Sequence, residues 1–344
     1  VIRQLILSVV LCGALINVSH AWNSAGHMTV ARIAWDTLSA SEREAVVAIL
    51  RSHPHLDVLL RKDRPEQASD AEWIFLRASI WSDDIRPPKS MSPEEVSMHP
   101  IHKFHRGNWH YVNYLYQLGQ TSSELPSEPL PSSTNILNEL DRAFRVLKNS
   151  DTIDDGRVPG TTDLENRAVR MTWLFHLAGD LHQPLHAASL VDAQLFPDLP
   201  NNSDQGGNKL AIRTEENAIP KNLHWIWDEM FSTESQFEQV CQHSERLTHD
   251  PAYSIANLVE LRPNADFNQW AAESYADAKQ FAYLDGKLKL VLWDNVNMNK
   301  VPATAVPVLS TEELRQARQV AQRRIIVAGY RLASKLREVV GSAN

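Results

Sequence analysis

Between Phe175 and Ser189 the chain reads FHLAGDLHQPLHAAS, placing His176, Asp180, His182 and His186 in an otherwise apolar run. Imidazole and carboxylate together suit zinc. On a helix of about 100° per residue, Asp180 falls roughly 40° from His176, and His186 roughly 80° away on the other side, so the three fit an arc of about 120°. His182 lies on the far side from Asp180. A lone buried histidine is usually satisfied by the core around it. A buried aspartate on the same face needs a partner, and a metal ion supplies one. Pro184 cannot bond back to the Asp180 carbonyl. It is expected to kink the helix and carry His186 toward a second point close to the first.

The same residue types recur elsewhere. His224 and Asp228, in NLHWIWDEM, are i, i+4 neighbours on one helix face. Asp83 ends the helical run of IWSDDIR beside a second acid, and two acids at a helix C-terminus oppose the macrodipole unless a cation relieves them. His110 falls in WHYVN, expected to be a short extended segment, and His27 stands in WNSAGH, five residues after Trp22. His99, His102 and His105 also have metal-like spacing and are read as a solvated segment before WHYVN. His249-Asp250 sits in the turn-like THDPAYS, without the flanking ligand order of an HD-type phosphohydrolase.

The elements that must hold these residues are mostly helical. HMTVARIAWDTL, DAEWIFLRASIW, NILNELDRAFRVLK, ENRAVRMTWLFHLAGDLH, NLHWIWDEMF, FNQWAAESYADAKQFAYL and TEELRQARQVAQRRIIVAGYRLASKL all place apolar residues three and four apart. Thr311, followed by Glu312 and Glu313, reads as a helix start. WHYVNYL and KLAIRT are the strand candidates and admit a short β-hairpin. The Pro- and Ser-rich stretches 119–133 and 192–208 read as loops. With no internal repeat and no evident linker, the expectation is one compact all-α domain.

The chain opens VIRQLILSVVLCGALINVSHA, where one Arg precedes an apolar run and a small-residue ending. Residues 1–21 read as a secretory signal, too short and wrongly flanked for a good membrane span, and 22–344 as the mature domain. Removing Arg3 with that leader takes the net charge from −8 to −9. So acidic a protein is poorly suited to gripping duplex phosphates directly, though not to a nucleic acid held through metal ions. Cys241 would be the one cysteine left, so packing or metals must replace disulfides.

Taken in order, W-x4-H, W-S-D, W-H-Y, H-x3-D-x5-H, G-G-N and H-x3-D resemble the secreted zinc-dependent single-strand nucleases of the S-one/P-one type, which also act as 3′-nucleotidases. The resemblance runs from Trp22 to Asp228, with GDLHQPLH its most specific part; the C-terminal third is compatible only in helical character. It implies three zinc ions set between helices. Asp83, His110, His176 and Asp180 would hold one. His186, His224 and Asp228 would hold a second. The α-amino nitrogen and carbonyl oxygen of Trp22, with His27 and a bridging Asp180, would hold the third. Arg86 matches a phosphate-contacting position and Asn208 a polar substrate contact. Tyr111 and Asn113 match a base pocket, one to stack on a base and one to meet its edge. Asp83, Asp180 and Arg86 would thus serve metal-assisted hydrolysis of single-stranded RNA or DNA to 5′-nucleotides, and of 3′-nucleotides. A secreted or periplasmic protein is implied, with no membrane contact after leader removal and no stable protein partner.

The chain departs from the family's pattern in places. Asn23 follows Trp22 where the family usually has Gly, although the spacing to His27 is kept. The loop between His186 and Asn208 is long and is placed to overhang the site. Absence of disulfides suits a bacterial exported form. Two other readings share part of the pattern. Zinc phospholipase C carries H-x3-D-x5-H but typically ends its ligand set with Glu, where this chain has Asp228. A zinc-binding helical protein without catalysis would need neither Arg86 nor a base pocket.

Overall fold

The computed structural model describes residues 22–119, 125–126, 131–148, 156–261 and 266–341. The leader expected at 1–21 and much of the 119–133 loop lie outside the described residues. Among the described residues, twelve α-helices carry the architecture. The first six are α1 (Ser24–Thr37), α2 (Ala40–Leu50), α3 (Asp70–Ala78), α4 (Trp81–Asp84), α5 (Pro93–Met98) and α6 (Ile136–Leu147). They are followed by α7 (Asp163–Asp180), α8 (Leu223–Asp228), α9 (Phe237–His249), α10 (Phe267–Asp277), α11 (Trp293–Asn297) and α12 (Thr311–Val340). The all-α expectation holds.

Local chemistry starts these helices where they start. Ser39 with Glu42, Ser92 with Glu95, Thr162 with Glu165 and Ser310 with Glu313 form reciprocal caps at the N-termini of α2, α5, α7 and α12. Each pair satisfies two backbone N–H groups that a helix end leaves without a partner. α12 begins at Thr311 as expected, with Ser310 as its cap.

The centre of the molecule is α7 and the segment after it: every residue from Ala168 to Leu190 is buried. α6 lays Ile136, Leu140, Ala143 and Leu147 on α7. α1 and α12 cross closely at Gly329, where a Cβ would lie 2.6 Å from the Ile33 side chain. A buried ionic network ties α12 to α10: Arg324 and Arg331 both donate to Glu273, at 2.8 and 2.7 Å. Arg331 also meets His182 Nε2 at 2.9 Å, while His182 Nδ1 donates to the Ala178 carbonyl at 2.7 Å. His182 is thus the anchor of the turn after α7, kept neutral by burial and by the two arginines.

α7 ends at Asp180. Pro184 opens a separate single turn, 184–186, instead of kinking a continuing helix. With no N–H at Pro184 to continue the ladder, the chain leaves the helix axis, and His186 arrives on a different backbone direction. Strand structure is sparse. β1 (Tyr114–Gln117) pairs in parallel with β2 (Ala188–Val191), and β3 (Ala211–Ile212) pairs antiparallel with β4 (Lys221–Asn222). The second pair is the short hairpin allowed by KLAIRT. The first draws the segment after His110 alongside the segment after His186. His110 itself is not extended: it closes a single helical turn with φ −75° and ψ −14°.

Candidate metal centre

Three groups of side chains converge on the C-terminal end of α7: His27 with His176 and Asp180; Asp83 with His110 and His176; and His186 with His224 and Asp228. They come from α1, α4, the turn before β1, α7, the turn after α7, and α8. Within each group the donor atoms lie within 4.8 Å of one another.

Asp180 is the hub. Its Oδ1 lies 3.1 Å from His27 Nε2, while Oδ2 lies 2.9 Å from His110 Nδ1 and 3.2 Å from His176 Nε2. One carboxylate oxygen faces each of two groups. His176 Nε2 and His110 Nδ1 are 3.0 Å apart, and His186 Nε2 and His224 Nε2 are 3.1 Å apart. Nitrogens about 2 Å from a shared tetrahedral zinc would sit about 3.3 Å apart. Asp83 Oδ2 stands 3.9 Å from His176 Nε2, and its other oxygen accepts from Arg86 at 3.1 Å.

Carbonyls fix which nitrogen each ring offers. His176 Nδ1 bonds Ser79 O at 2.7 Å, His186 Nδ1 bonds His110 O at 2.6 Å, and His224 Nδ1 bonds Gly206 O at 2.6 Å. A ring that donates from Nδ1 to a carbonyl keeps a lone pair on Nε2, and in all three rings Nε2 points at its group. Gln183, lying between Asp180 and His186 in the chain, donates from Nε2 to Asp228 Oδ1 at 2.8 Å and steadies that carboxylate.

The donor set fits a cation. His27 Nε2 and Asp180 Oδ1, which face each other at 3.1 Å, are buried without a hydrogen-bond partner, an arrangement that costs free energy unless something fills it. Burial pushes His27 down to about 4 and His224 down to about 3, so these rings are neutral and able to ligate. His110 and His186 are lowered for the same reason. His176 is the exception. Burial opposes its charge too, but the Asp180 and Asp83 carboxylates outweigh burial and raise it to about 9. Burial likewise opposes the Asp180 charge, yet the surrounding histidines hold that carboxyl well below its usual range. Without a metal, a proton must sit between two carboxylates. A divalent cation replaces it with more charge and better geometry.

The His27 ring stacks on His176 at 4.0 Å and presses on Gly179, where a Cβ would come 2.6 Å from His27 Nδ1. Gly179→Ala should therefore displace His27 and lower the metal bound per chain by about one ion. The His186, His224 and Asp228 group should keep its affinity, since it has no contact with that methyl. Metal analysis of the purified variant against the native protein checks this.

Trp22 is fully buried at the start of α1, and the Asn23 N–H donates to the Asp228 carbonyl at 3.2 Å. Asn23 caps α1 through its side chain. Tyr111 and Asn113 line a small cleft of about 90 Å³ together with Asn135 and Asn201, the last from the long loop after His186. Asn208 turns its amide to the Gln205 carbonyl at 2.9 Å. His99 and His102 are not freely solvated: their rings stack at 4.3 Å, and His102 Nδ1 bonds the Ile85 carbonyl at 2.8 Å. His105 is half-buried, 6.5 Å ring to ring from His110, and burial first, then His110, pushes it down to about 4. His249 and Asp250 are exposed end groups of α9.

Comparison with known proteins places this geometry. The family model described as S1/P1 Nuclease matches residues 22–341. Endonuclease 3 of Arabidopsis thaliana is 24% identical over 349 residues, covering 98% of this chain and 95% of that protein. Endonuclease 4 of the same plant is 24% identical over 355 residues, covering 99% and 96%. Endonuclease 1 is 26% identical over 181 residues, 52% of each chain. The match therefore extends through the C-terminal third, beyond the motifs that end at Asp228.

Proposed function

The chain belongs to the S1/P1 nuclease family and is a hydrolase of ester bonds in nucleic acid; from that premise we propose that it cleaves single-stranded RNA and DNA to 5′-nucleotides, and dephosphorylates 3′-nucleotides, with three zinc ions. The observation that carries this reading is the Asp180 carboxylate, with one oxygen turned to His27 and the other to His110 and His176; His110 is followed in the chain by Tyr111 and Asn113, which line a cleft. Asp83, His110, His176 and Asp180 would hold one zinc; His186, His224 and Asp228 a second; Trp22, His27 and Asp180 the third. Zinc bound there supplies Lewis acidity that acidifies water and stabilises the oxygen leaving phosphorus.

The protein's own residues do the rest. Arg86, held at 3.1 Å by Asp83, brings a guanidinium beside the metal ligands and is placed to engage a phosphate oxygen. Ser79, His110 and Gly206 fix ring orientation through their carbonyls, so no ligand need turn when substrate arrives. Tyr111, 39% exposed at the cleft, offers a face for a base. A duplex hides its base faces, which favours single strands. Export, with residues 1–21 as the leader, belongs to the same proposal. No helix among the described residues is long and apolar enough to cross a membrane.

Hydrolysis of single-stranded DNA and RNA, duplex DNA, a 3′-nucleotide and phosphatidylcholine by the zinc-loaded protein tests the reading. Cleavage of the lipid alone would replace it with a phospholipase. Arg86→Ala should weaken phosphate engagement at unchanged zinc content. Tyr111→Ala should lose about 1–3 kcal/mol of stacking on nucleotides and nothing on a phosphodiester that lacks a base. Equal loss on both substrates would make Tyr111 a packing residue.

A further inference from the structure

Three amides line the cleft, Asn113, Asn135 and the exposed Asn201, and the hydrogen bonds of the first two differ. Asn135 is held at both ends. Its Nδ2 donates to Ser132 O at 2.6 Å, and its Oδ1 accepts from the Leu137 and Asn138 N–H groups that open α6. Only one N–H of its Nδ2 remains, on a side chain that is 7% exposed. Asn113 is spent at one end: Oδ1 lies 3.0 Å from the hydroxyl of Ser189.

Ser189 is fully buried, and its oxygen accepts the Gly206 N–H at 2.9 Å. A hydroxyl has one proton to give. Among the described residues the acceptor in its reach is Asn113 Oδ1, so the amide must turn its oxygen inward. The reverse orientation would set the amide NH2 against a hydroxyl whose own proton had no acceptor in a dry site, which is costly. Gly206 cannot drift to relieve this. Its φ is +65°, a Cβ there would meet the Leu185 carbonyl at 2.6 Å, and its own carbonyl holds His224 at 2.6 Å. The buried Asp204 carboxylate grips the same loop through the Gly207 and Leu190 N–H groups, at 2.9 and 2.8 Å. The polarity of Asn113 is thus imposed from the loop that also orients a metal ligand.

We propose that Ser189 fixes Asn113 with its NH2 toward the cleft, and that the base subsite therefore selects bases with an exocyclic keto oxygen, uracil, thymine and guanine, over the amino-bearing cytosine and adenine. This rests on the reading of the Tyr111–Asn113 cleft as a base subsite. Uracil and thymine present O4 and guanine O6 as acceptors where cytosine and adenine present N–H donors. A donor facing a donor is left unpaired, and sites built to hydrogen-bond a substrate reject analogues that break the bond.

The test compares two near-isosteric pairs, uridine against cytidine and inosine against adenosine. The 3′-monophosphates are used for hydrolysis and the 5′-monophosphates for calorimetric binding to the zinc-loaded protein. The keto member should win by about tenfold in both readouts, the worth of one net hydrogen bond. Asn113→Asp should invert both ratios, since Ser189 still donates to one carboxylate oxygen and the other faces the cleft as an acceptor. Ser189→Ala should bring both ratios toward one, because the amide is then free to turn. Each ratio is taken within one enzyme, so a general loss of activity cancels. Equal values across each pair in the native protein, or ratios unmoved by Asn113→Asp, would overturn the assignment. Keto-selective binding without hydrolysis of any nucleotide or single-stranded polymer would defeat the nuclease reading and leave the donor assignment standing.

Discussion

If the proposed three-zinc nuclease reading holds, Asp180→Asn should take zinc content from three per chain toward one and lower single-strand hydrolysis by at least about a thousandfold. The carboxylate spans two groups, with Oδ1 at 3.1 Å from His27 and Oδ2 at 2.9 and 3.2 Å from His110 and His176. Asn keeps the shape but puts an NH2 where a metal needs a lone pair, so both neighbouring metals lose a donor at once. The His186, His224 and Asp228 group does not include Asp180 and should keep its ion. Metal ions stabilise transition-state charge by several kcal/mol each, and each 1.36 kcal/mol is tenfold in rate, so losing two supports a thousandfold estimate as a floor. The readouts are zinc per chain and hydrolysis rate, with a thermal melt to show that the helices remain. If the variant holds three zincs and cleaves at the native rate, the shared-ligand assignment falls.

Much of this centre is legible in the sequence because helical spacing is a reliable ruler. His176 with Asp180, and His224 with Asp228, are i, i+4 pairs whose helices, α7 and α8, form as the apolar periodicity predicts. What the ruler cannot reach lies where helices stop. Arithmetic continued across Pro184 puts His186 on the arc of His176. In the structure a separate turn carries His186 to His224, the second point toward which Pro184 is expected to divert it. His110 reads as strand because WHYVNYL is rich in β-formers, yet the strand begins only at Tyr114. The ring is held by contact with Asp180, His176 and Trp173, all distant in sequence.

Residues acting through a partner left the weakest signal. Gln183 and Ser189 look like ordinary polar residues in a loop, and only their place between or beside ligands hints at a role. Their hydrogen bonds to Asp228 and Asn113 span 45 and 76 residues, beyond any local pattern. The histidines at 99, 102 and 105 carried the opposite error: spacing suggestive of a metal, then a reading as solvated. The rings of His99 and His102 stack, His102 bonds the Ile85 carbonyl just past α4, and His105 packs beside His110.

Adding one Ala before Trp22 should lower bound zinc from three to about two and cut hydrolysis at least a hundredfold while the fold stays intact. The proposed third site uses the free α-amino nitrogen of Trp22 together with its carbonyl, a five-membered chelate that exists only when residue 22 begins the chain. An added residue turns that amine into an amide, whose nitrogen is a poor zinc donor at neutral pH. There is also no slack to move aside. Trp22 is fully buried, a Cβ on Gly26 would lie 2.7 Å from its own Cβ, and Asn23 is tied to the Asp228 carbonyl on one side and to α1 as its cap on the other. Those ties belong to Asn23 and α1, so they survive the extension, and the melting temperature should hardly change. The loss is therefore chemical rather than structural, which separates this test from Gly179→Ala, where the same ion is lost by displacing His27. Aminopeptidase removal of the extra Ala should restore both zinc and rate in the same sample. If the extended protein binds three zincs and cleaves as fast as the one that begins at Trp22, the amine is not a ligand. The third ion would then have to rest on His27 and Asp180 with water, and the chain start would have no part in the chemistry.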